Sequence, residues 1–144
     1  MEIALIAHNA KKEELIDLII ANLSFFLSNG VQIYSTNNTG RKIQELGIEV
    51  VRYNSGPLGG DAQIASMVVG GDCDMVIFLR DPLDKHPHDP DIAMLLRLCD
   101  VHNVPIATNS SSANLLLNGL SLQLESLQKK ESQLRDSNQL NYPN

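Results

Sequence analysis

Cysteine is scarce in this chain, and its placement does not suggest a disulfide framework. The 144 residues include two cysteines, Cys73 and Cys99, which lie far apart and form no C-x-x-C pair. Neither a set of disulfides nor a thiolate metal site therefore has support. Both thiols are expected to be reduced and structural.

The chain also lacks an excess of basic residues. Eleven Lys and Arg stand against seventeen Asp and Glu, which gives a formal net charge of −6. Nucleic acid and anionic lipid are disfavoured as partners, because either would need a basic face. Any anionic ligand would have to be held by local dipoles and a few placed cations.

Long apolar runs are absent as well. No stretch approaches the roughly 20 apolar residues that a membrane-spanning helix needs. The start MEIALIAHN has neither the basic residues nor the apolar length of a secretory signal. We expect a soluble, cytoplasmic protein without a membrane partner, and a length of 144 residues with 43% hydrophobic content predicts one domain with its own core.

What the chain does have is a regular alternation of short apolar runs and helix-like segments. Five runs are typical of buried parallel strands: EIALIAH, VQIYS, IEVVRY, MVIFL and VPIAT. Between them, TNNTG at residues 36–40 is interpreted as a turn and RDPLDKHPHDPD at 80–91 as a polar loop. The alternation predicts a single doubly wound, Rossmann-like α/β domain with a five-stranded parallel sheet.

After Asn109 the pattern is that of a C-terminal helix interrupted at Gly119. Its leucines follow a rough three-four spacing at Leu117, Leu120, Leu124, Leu127 and Leu134. A helix docked on its own domain is favoured over one that pairs subunits. We therefore expect a main domain at residues 1–118, a helical extension at 119–135 and a frayed tail at 136–144.

Chemically useful residues follow each of the first four predicted strands. The carboxyl ends of parallel strands lie at one edge of a sheet, so these loops should converge on one crevice. The residues concerned are His8, Asn9, Lys11, Lys12, Thr36, Asn37, Asn38, Thr39, Gly40, Ser55, Gly56, Gly59, Gly60, Asp61, Asp81, His88 and Asp91.

The stretch NSGPLGGDAQ, residues 54–63, ends a glycine-rich turn on a carboxylate. Such a turn before a helix offers backbone N–H groups to an anion, which a negative side chain would repel. Asp61 is therefore either the N-cap of the helix or a group that does chemistry beside a bound anion. Thr36 could likewise be only a helix cap, and Asp81 only the start of a turn.

His86-x-His88, with Asp89 and Asp91 nearby, offers the donor types of a metal site. The flanking prolines supply no further ligand, so we do not expect a metal here. Hydroxyls and glycine amides at helix N-termini suit a phosphate, and nearby carboxylates suit proton transfer next to a carbonyl. These residues predict a small phosphorylated carbonyl compound as substrate and leave the reaction open.

The order of these motifs resembles methylglyoxal synthase. The matching pattern runs from residue 2 to 117 and comprises EIALIAH, Lys12, TNNTG, SGPLGGD, IFLRDPL, PHDPD and LLRLCDVHNVPIATN. The resemblance implies a lyase without metal or cofactor that converts dihydroxyacetone phosphate into methylglyoxal and inorganic phosphate. It also implies a homohexamer subject to allosteric inhibition by phosphate.

The resemblance assigns roles residue by residue. Asp61 would be the base that forms an enediolate, His88 would donate a hydrogen bond to the developing oxyanion, and Asp91 would orient the site or shuttle a proton. Asp81 and His8 would complete the polar wall. The substrate phosphate would be held by Lys12, Thr36, Asn38, Thr39, Gly40, Ser55 and Gly56.

Two loops depart from the family pattern. Asn9 stands where the family has an aspartate after the histidine, and TNNTG replaces the usual TGTTG. Asparagine tolerates the left-handed backbone that glycine adopts, so the phosphate loop can keep its shape. The C-terminal segment does not match the family's tail.

Two alternative functions stay open. The fold also resembles the regulatory domains of carbamoyl phosphate synthetase, so the chain could be a non-catalytic module that binds a phosphometabolite. Three acidic groups beside a phosphate loop favour the enzyme over such a module. A weaker alternative is an interaction protein that works through the leucine-bearing C-terminal helix.

Overall fold

The computed structural model describes residues 1–139, in which five strands form one parallel sheet. The strands are β1 (Glu2–Ala7), β2 (Gln32–Ser35), β3 (Val50–Arg52), β4 (Met75–Leu79) and β5 (Ile106–Ala107). Their spatial order is β3-β2-β1-β4-β5, and all four neighbouring pairs are parallel. The predicted doubly wound α/β domain is confirmed.

Helices cover both faces of the sheet. They are α1 (Lys12–Ala21), α2 (Leu23–Phe26), α3 (Asn37–Gln44), α4 (Gly60–Gly70), α5 (Asp89–Val101) and α6 (Ser110–Gln139). Side chains of β1 alternate between the two faces: Ile3 and Leu5 pack with α1, α3 and α6, whereas Ala4 and Ile6 pack with α4 and α5. Burial on both faces explains why the central strands are continuous apolar runs.

Both cysteines lie in the core on the α4 and α5 side. Cys73 and Cys99 are buried and free, as expected of structural thiols. Burial raises the pKa of each thiol to about 11. At neutral pH both therefore stay protonated.

Two helices begin inside segments that the sequence predicts to be irregular. The turn predicted at residues 36–40 is wrong, because Asn37 opens α3 and the Gly40 N–H donates to the Thr36 carbonyl at 2.8 Å. Asn and Gly are poor helix formers, and the fully buried Ile43 ties this short helix to the sheet. The loop predicted at 80–91 is also too long, since α5 begins at Asp89, where Pro90 fits a first helical turn.

The helix after β1 is divided at Asn22, which separates α1 from α2. The Asn22 side-chain amide donates to the Leu18 carbonyl at 2.8 Å. This hydrogen bond competes with the helical backbone pattern and ends α1.

The C-terminal helix α6 runs without interruption from Ser110 to Gln139. The break predicted at Gly119 does not occur, because one exposed glycine costs a helix only about 1 kcal/mol. The predicted boundaries at 118 and 135 both fall inside α6, and residues 140–144 of the predicted tail lie outside the described residues. Leu117 is buried and Leu124 packs on the same core, so the first half of α6 is docked on the domain.

No helix within residues 1–139 is long and apolar enough to cross a membrane.

Candidate active site

A cavity of about 430 Å³ opens at the carboxyl ends of the central strands. It lies beside β1 and β4, where the strand order reverses and where doubly wound sheets bind their ligands. Ten of the predicted site residues line it: His8, Lys12, Thr36, Asn38, Thr39, Ser55, Gly56, Asp61, Asp81 and His88.

Gly40 and Asp91 are predicted for the site but do not line the cavity. The Gly40 N–H is bonded inside α3, and a Cβ there would lie 2.7 Å from Cγ of Arg52, so Gly40 is a packing position. Asp91 lies in the first turn of α5, where its N–H donates to the His88 carbonyl at 2.9 Å. It acts on Asp61 at a distance, through charge.

The glycine-rich turn delivers Asp61 to the floor of the cavity. Gly59 is the N-cap residue of α4 and has a φ of 97°, which favours glycine. A Cβ on Gly60 would lie 2.0 Å from the Asn54 carbonyl oxygen, so only glycine lets the helix start this close. Asp61 follows in the first turn with its side chain fully buried. The N-cap interpretation of Asp61 is therefore wrong.

The Asp61 carboxylate has one paired and one free oxygen. Its Oδ2 lies 2.5 Å from Nδ1 of His88, whereas Oδ1 is buried and has no hydrogen-bond partner among the described residues. Burial raises the pKa of this carboxyl, the hydrogen bond from His88 opposes the rise, and the charge of Asp91 adds to it. A buried carboxylate with a raised pKa and an unused oxygen is well suited to accept a proton.

His8 is held as a neutral hydrogen-bond donor. Its side chain is 6% exposed, and its Nδ1 accepts the backbone N–H of Asp81 at 2.8 Å. The neutral ring must therefore carry its proton on Nε2, which is buried and unpaired within residues 1–139. Burial lowers the pKa of His8 to about 4, helped by the nearby basic groups of His86, His88 and Arg80.

Three imidazoles meet here, yet their geometry does not suit a metal. One ring nitrogen from each of His8, His86 and His88 lies within 4.8 Å of the others. The His8 and His86 rings are stacked, with centroids 3.6 Å apart and planes 18° from parallel. A ring nitrogen binds a metal ion through a lone pair in the plane of the ring, at about 2 Å from the ion. Two stacked rings therefore cannot both bind the same ion. The unpaired ring nitrogen of His8, Nε2, also carries a proton rather than a lone pair.

The other end of the cavity is suited to an anion. Lys12 Nζ donates to Asn9 Oδ1 at 2.6 Å, so the asparagine that departs from the family pattern orients this lysine. Burial, and then the charge of Lys42, lowers the pKa of Lys12. Thr36 is the N-cap residue of α3, but its side chain makes no capping bond in the described part of the chain. The N-terminus of α3 can therefore bind an anion beside the lysine.

Asp81 has a structural role as well as a place in the wall. Its Oδ1 accepts the Leu83 N–H at 3.0 Å, so it does start a turn, and its backbone N–H fixes the tautomer of His8.

His86 belongs to the site in a way that its sequence position does not reveal. The H-x-H spacing suggests only a metal ligand, yet His86 lines the cavity and stacks on His8. Its place in the loop that also supplies Asp81 and His88 is the available signal. Asp84 lines the cavity from the same loop.

The fold and the cavity place the chain in a class of α/β domains described as the MGS-like domain, whose family model matches residues 18–108. A methylglyoxal synthase of Caldicellulosiruptor saccharolyticus is 55% identical over 121 residues, which cover 83% of this chain and 84% of that protein. A methylglyoxal synthase of Lysinibacillus sphaericus is 51% identical over 121 residues, which cover 83% of this chain and 89% of that protein. This chain belongs to the methylglyoxal synthase family.

A solved structure agrees with this assignment. The crystal structure of methylglyoxal synthase from Elizabethkingia anophelis NUHP1 superposes with a TM-score of 0.74 at 40% sequence identity, covering 81% of this chain and 76% of that one.

Proposed function

We propose that this chain is a methylglyoxal synthase, a lyase that converts dihydroxyacetone phosphate into methylglyoxal and inorganic phosphate. The observation that carries the proposal is the buried Asp61 carboxylate, which lines the cavity with one oxygen free and its pKa raised. A base of this kind is what removal of a proton next to a carbonyl requires.

In this proposal the substrate phosphate binds at the Lys12 end of the cavity. The N-terminus of α3 and the ammonium group of Lys12 provide the positive potential. Thr36, Thr39 and Ser55 also line the cavity, where the Thr36 hydroxyl donates to the Thr39 hydroxyl at 3.4 Å. This orientation directs the carbonyl carbon and the hydroxymethyl carbon toward Asp61 and the histidines. Metal is not needed for any of these contacts.

Asp61 then takes a proton from the hydroxymethyl carbon, and the carbonyl oxygen gains the negative charge of an enediolate. The Nε2–H of His8 donates a hydrogen bond to that oxygen. Because the His8 ring is neutral, it forms no ion pair with the Asp61 carboxylate. His88 donates its Nδ1–H to Asp61 and thereby fixes the base. In its charged form it can donate its second N–H to the oxyanion, the role that the family resemblance predicts.

Elimination follows from the enediolate. The hydroxyl group on the deprotonated carbon becomes the aldehyde carbonyl, and its proton passes to the departing phosphate. The π electrons move toward the phosphate-bearing carbon, and the C–O bond breaks with its electron pair leaving on the phosphate. The enolate that remains takes up a proton on its terminal carbon and becomes methylglyoxal. Expulsion is fast when the breaking bond stands perpendicular to the enediolate plane, so the anchoring of the phosphate selects elimination over isomerisation.

The test is to follow release of methylglyoxal and phosphate from dihydroxyacetone phosphate in the presence of a chelator. Asp61→Asn should lower turnover by roughly a hundredfold or more, because an amide cannot take the proton. Asp17→Asn, an exposed change on α1, is the matched control and should leave turnover unchanged. A parent chain that binds phosphate but forms no product would refute the enzyme and favour the regulatory-module alternative.

The same variant separates lost chemistry from lost folding. Burial raises the Asp61 pKa, so the ionised carboxylate destabilises the folded chain. The stability associated with the protonated form is present at low pH and is lost as the pH rises through the raised pKa. Asp61→Asn should therefore be at least as stable as the parent at neutral pH, as thermal unfolding can show.

A further inference from the structure

His86 lines the active-site cavity, and the proposed reaction gives it no role. Its Nε2 is buried and has no hydrogen-bond partner among residues 1–139. Its ring covers His8 at a centroid distance of 3.6 Å and stands 5.8 Å from the ring of His88. It therefore contacts the donor that the enediolate would need.

The ring of His8 is fixed on three sides. Asp81 donates its N–H to one edge of the ring, and Phe78 meets the ring at a centroid distance of 5.1 Å in an edge arrangement. The stacked ring of His86 closes one face. Without that stack, one face of His8 would open to the cavity and to water, and the ring could tilt about its remaining hydrogen bond.

His86 is itself held firmly. Its backbone N–H donates to Oδ2 of Asp89 at 3.2 Å, and the Asp89 N–H donates back to the His86 carbonyl at 3.1 Å. Pro87 follows directly and restricts the backbone at that point. These contacts tie the loop to the start of α5. The ring of His86 is therefore a fixed support for His8.

We propose that His86 is a positioning residue, whose stacked ring holds His8 with its Nε2–H directed at the oxygen that becomes negative. The inference rests on the proposed function for its effect on turnover, and on geometry alone for its effect on His8. Aromatic pairs of this kind contribute to side-chain placement beyond simple burial.

The charged groups around His8 lead to a separate observable. The basic groups that face it are His86, His88 and Arg80, and Asp81 is the acidic one. Removing the His86 ring takes away one basic neighbour and admits water. Both changes move the pKa of His8 upward from about 4.

The kinetic test compares three variants in the full chain. His86→Ala should lower kcat roughly tenfold with little change in KM, because the donor is misplaced while the phosphate contacts are kept. His86→Phe keeps an aromatic face and should stay within about threefold of the parent. His102→Ala, at an exposed histidine just after α5, is the control and should change nothing.

The second test follows the His8 ring by NMR as a function of pH without substrate. His86→Ala should raise the His8 pKa toward its ordinary value, and His86→Phe should raise it less, because phenylalanine removes the basic neighbour but keeps the ring of His8 covered. If the alanine variant does not fold, His86→Leu replaces it, since leucine fills the space without an aromatic face.

Two outcomes would overturn the positioning role. One is an unchanged kcat and an unchanged His8 titration in His86→Ala. The other is a phenylalanine variant as impaired as the alanine variant. Absence of turnover in the parent would instead contradict the proposed function, and the titration would still decide whether His86 holds His8.

Discussion

His8 is kept neutral by the fold, and that state links the active site to stability in acid. Its pKa is lowered from 6.5 to about 4, chiefly by burial. The unfolded chain therefore binds a proton on this residue before the folded chain does. The stability that results is complete above the unfolded pKa and is lost as the pH falls through the folded one.

Replacing His8 with glutamine should remove part of the loss of stability in acid. Between pH 7 and pH 4 the parent should lose roughly 3 kcal/mol of unfolding free energy through His8 alone. The variant should lack this part of the loss, which denaturant titrations at the two pH values measure. His102→Gln, at an exposed position, should keep the full acid loss. Equal losses in parent and His8→Gln would show that His8 titrates normally.

Residue types at strand ends are enough to predict most of the cavity wall. The carboxyl ends of parallel strands have to meet, so the amino-acid sequence alone predicts that Asp61, Asp81 and His88 lie together. The stack of His86 on His8 is not predictable in this way, because it depends on the path of a proline-rich loop. Gly40 does not line the cavity as predicted, because its backbone N–H donates a hydrogen bond within α3.

At the scale of the elements, the start of α4 is the most constrained point of the fold. A Cβ on Gly60 would lie 2.0 Å from a backbone oxygen that belongs to the preceding loop. Backbone atoms cannot yield as a flexible side chain can. The position of the helix, and of the carboxylate in its first turn, therefore depends on a missing methyl group.

Two glycine variants test this point against each other. Gly60→Ala should lower the unfolding free energy by roughly 2 kcal/mol or more and reduce turnover, because α4 must shift. Gly119→Ala, at an exposed position in α6 with nothing within 4 Å of the new Cβ, should raise stability by about 0.5 to 1 kcal/mol. Thermal unfolding of both variants measures the difference. A Gly60→Ala chain as stable and active as the parent would contradict the tight approach.

Element types are predictable where hydrophobic periodicity is strong, and boundaries are not. The strands follow from continuous apolar runs, which burial on both faces explains. The first turn of α3 is missed because Asn and Gly prefer turns, and packing of Ile43 overrides that preference. In α6 the low helix propensity of glycine likewise predicts a break at Gly119, where the helix continues.

At the scale of the whole molecule, α6 extends beyond the body that it packs on. Leu117, Leu120 and Leu124 contact the core, whereas Leu127 is 57% and Leu134 65% exposed. The leucines of α6 therefore contact the domain in the first half of the helix and not in the second. The second half of α6 has no partner within the described chain.

Two truncations test how much of α6 the domain needs. Ending the chain after Glu125 should change the unfolding free energy by no more than about 0.5 kcal/mol, because the contacts up to Leu124 are kept. Ending it after Asn118 removes Leu120 and Leu124 and should cost about 2 kcal/mol. Thermal unfolding and sedimentation of both chains give the comparison. Equal damage from the two truncations, or loss of an oligomer in the first, would show that the exposed leucines have a partner.

The burial of the two cysteines matters differently once the proposed product is considered. Methylglyoxal carries adjacent aldehyde and ketone groups, and such electrophiles add readily to thiolates. Cys73 and Cys99 are shielded by α4 and α5, and a pKa of about 11 leaves almost no thiolate at neutral pH. On the proposed function, the catalyst releases a reactive aldehyde while keeping its own sulfur nucleophiles out of reach, which protects it from inactivation by the compound it makes.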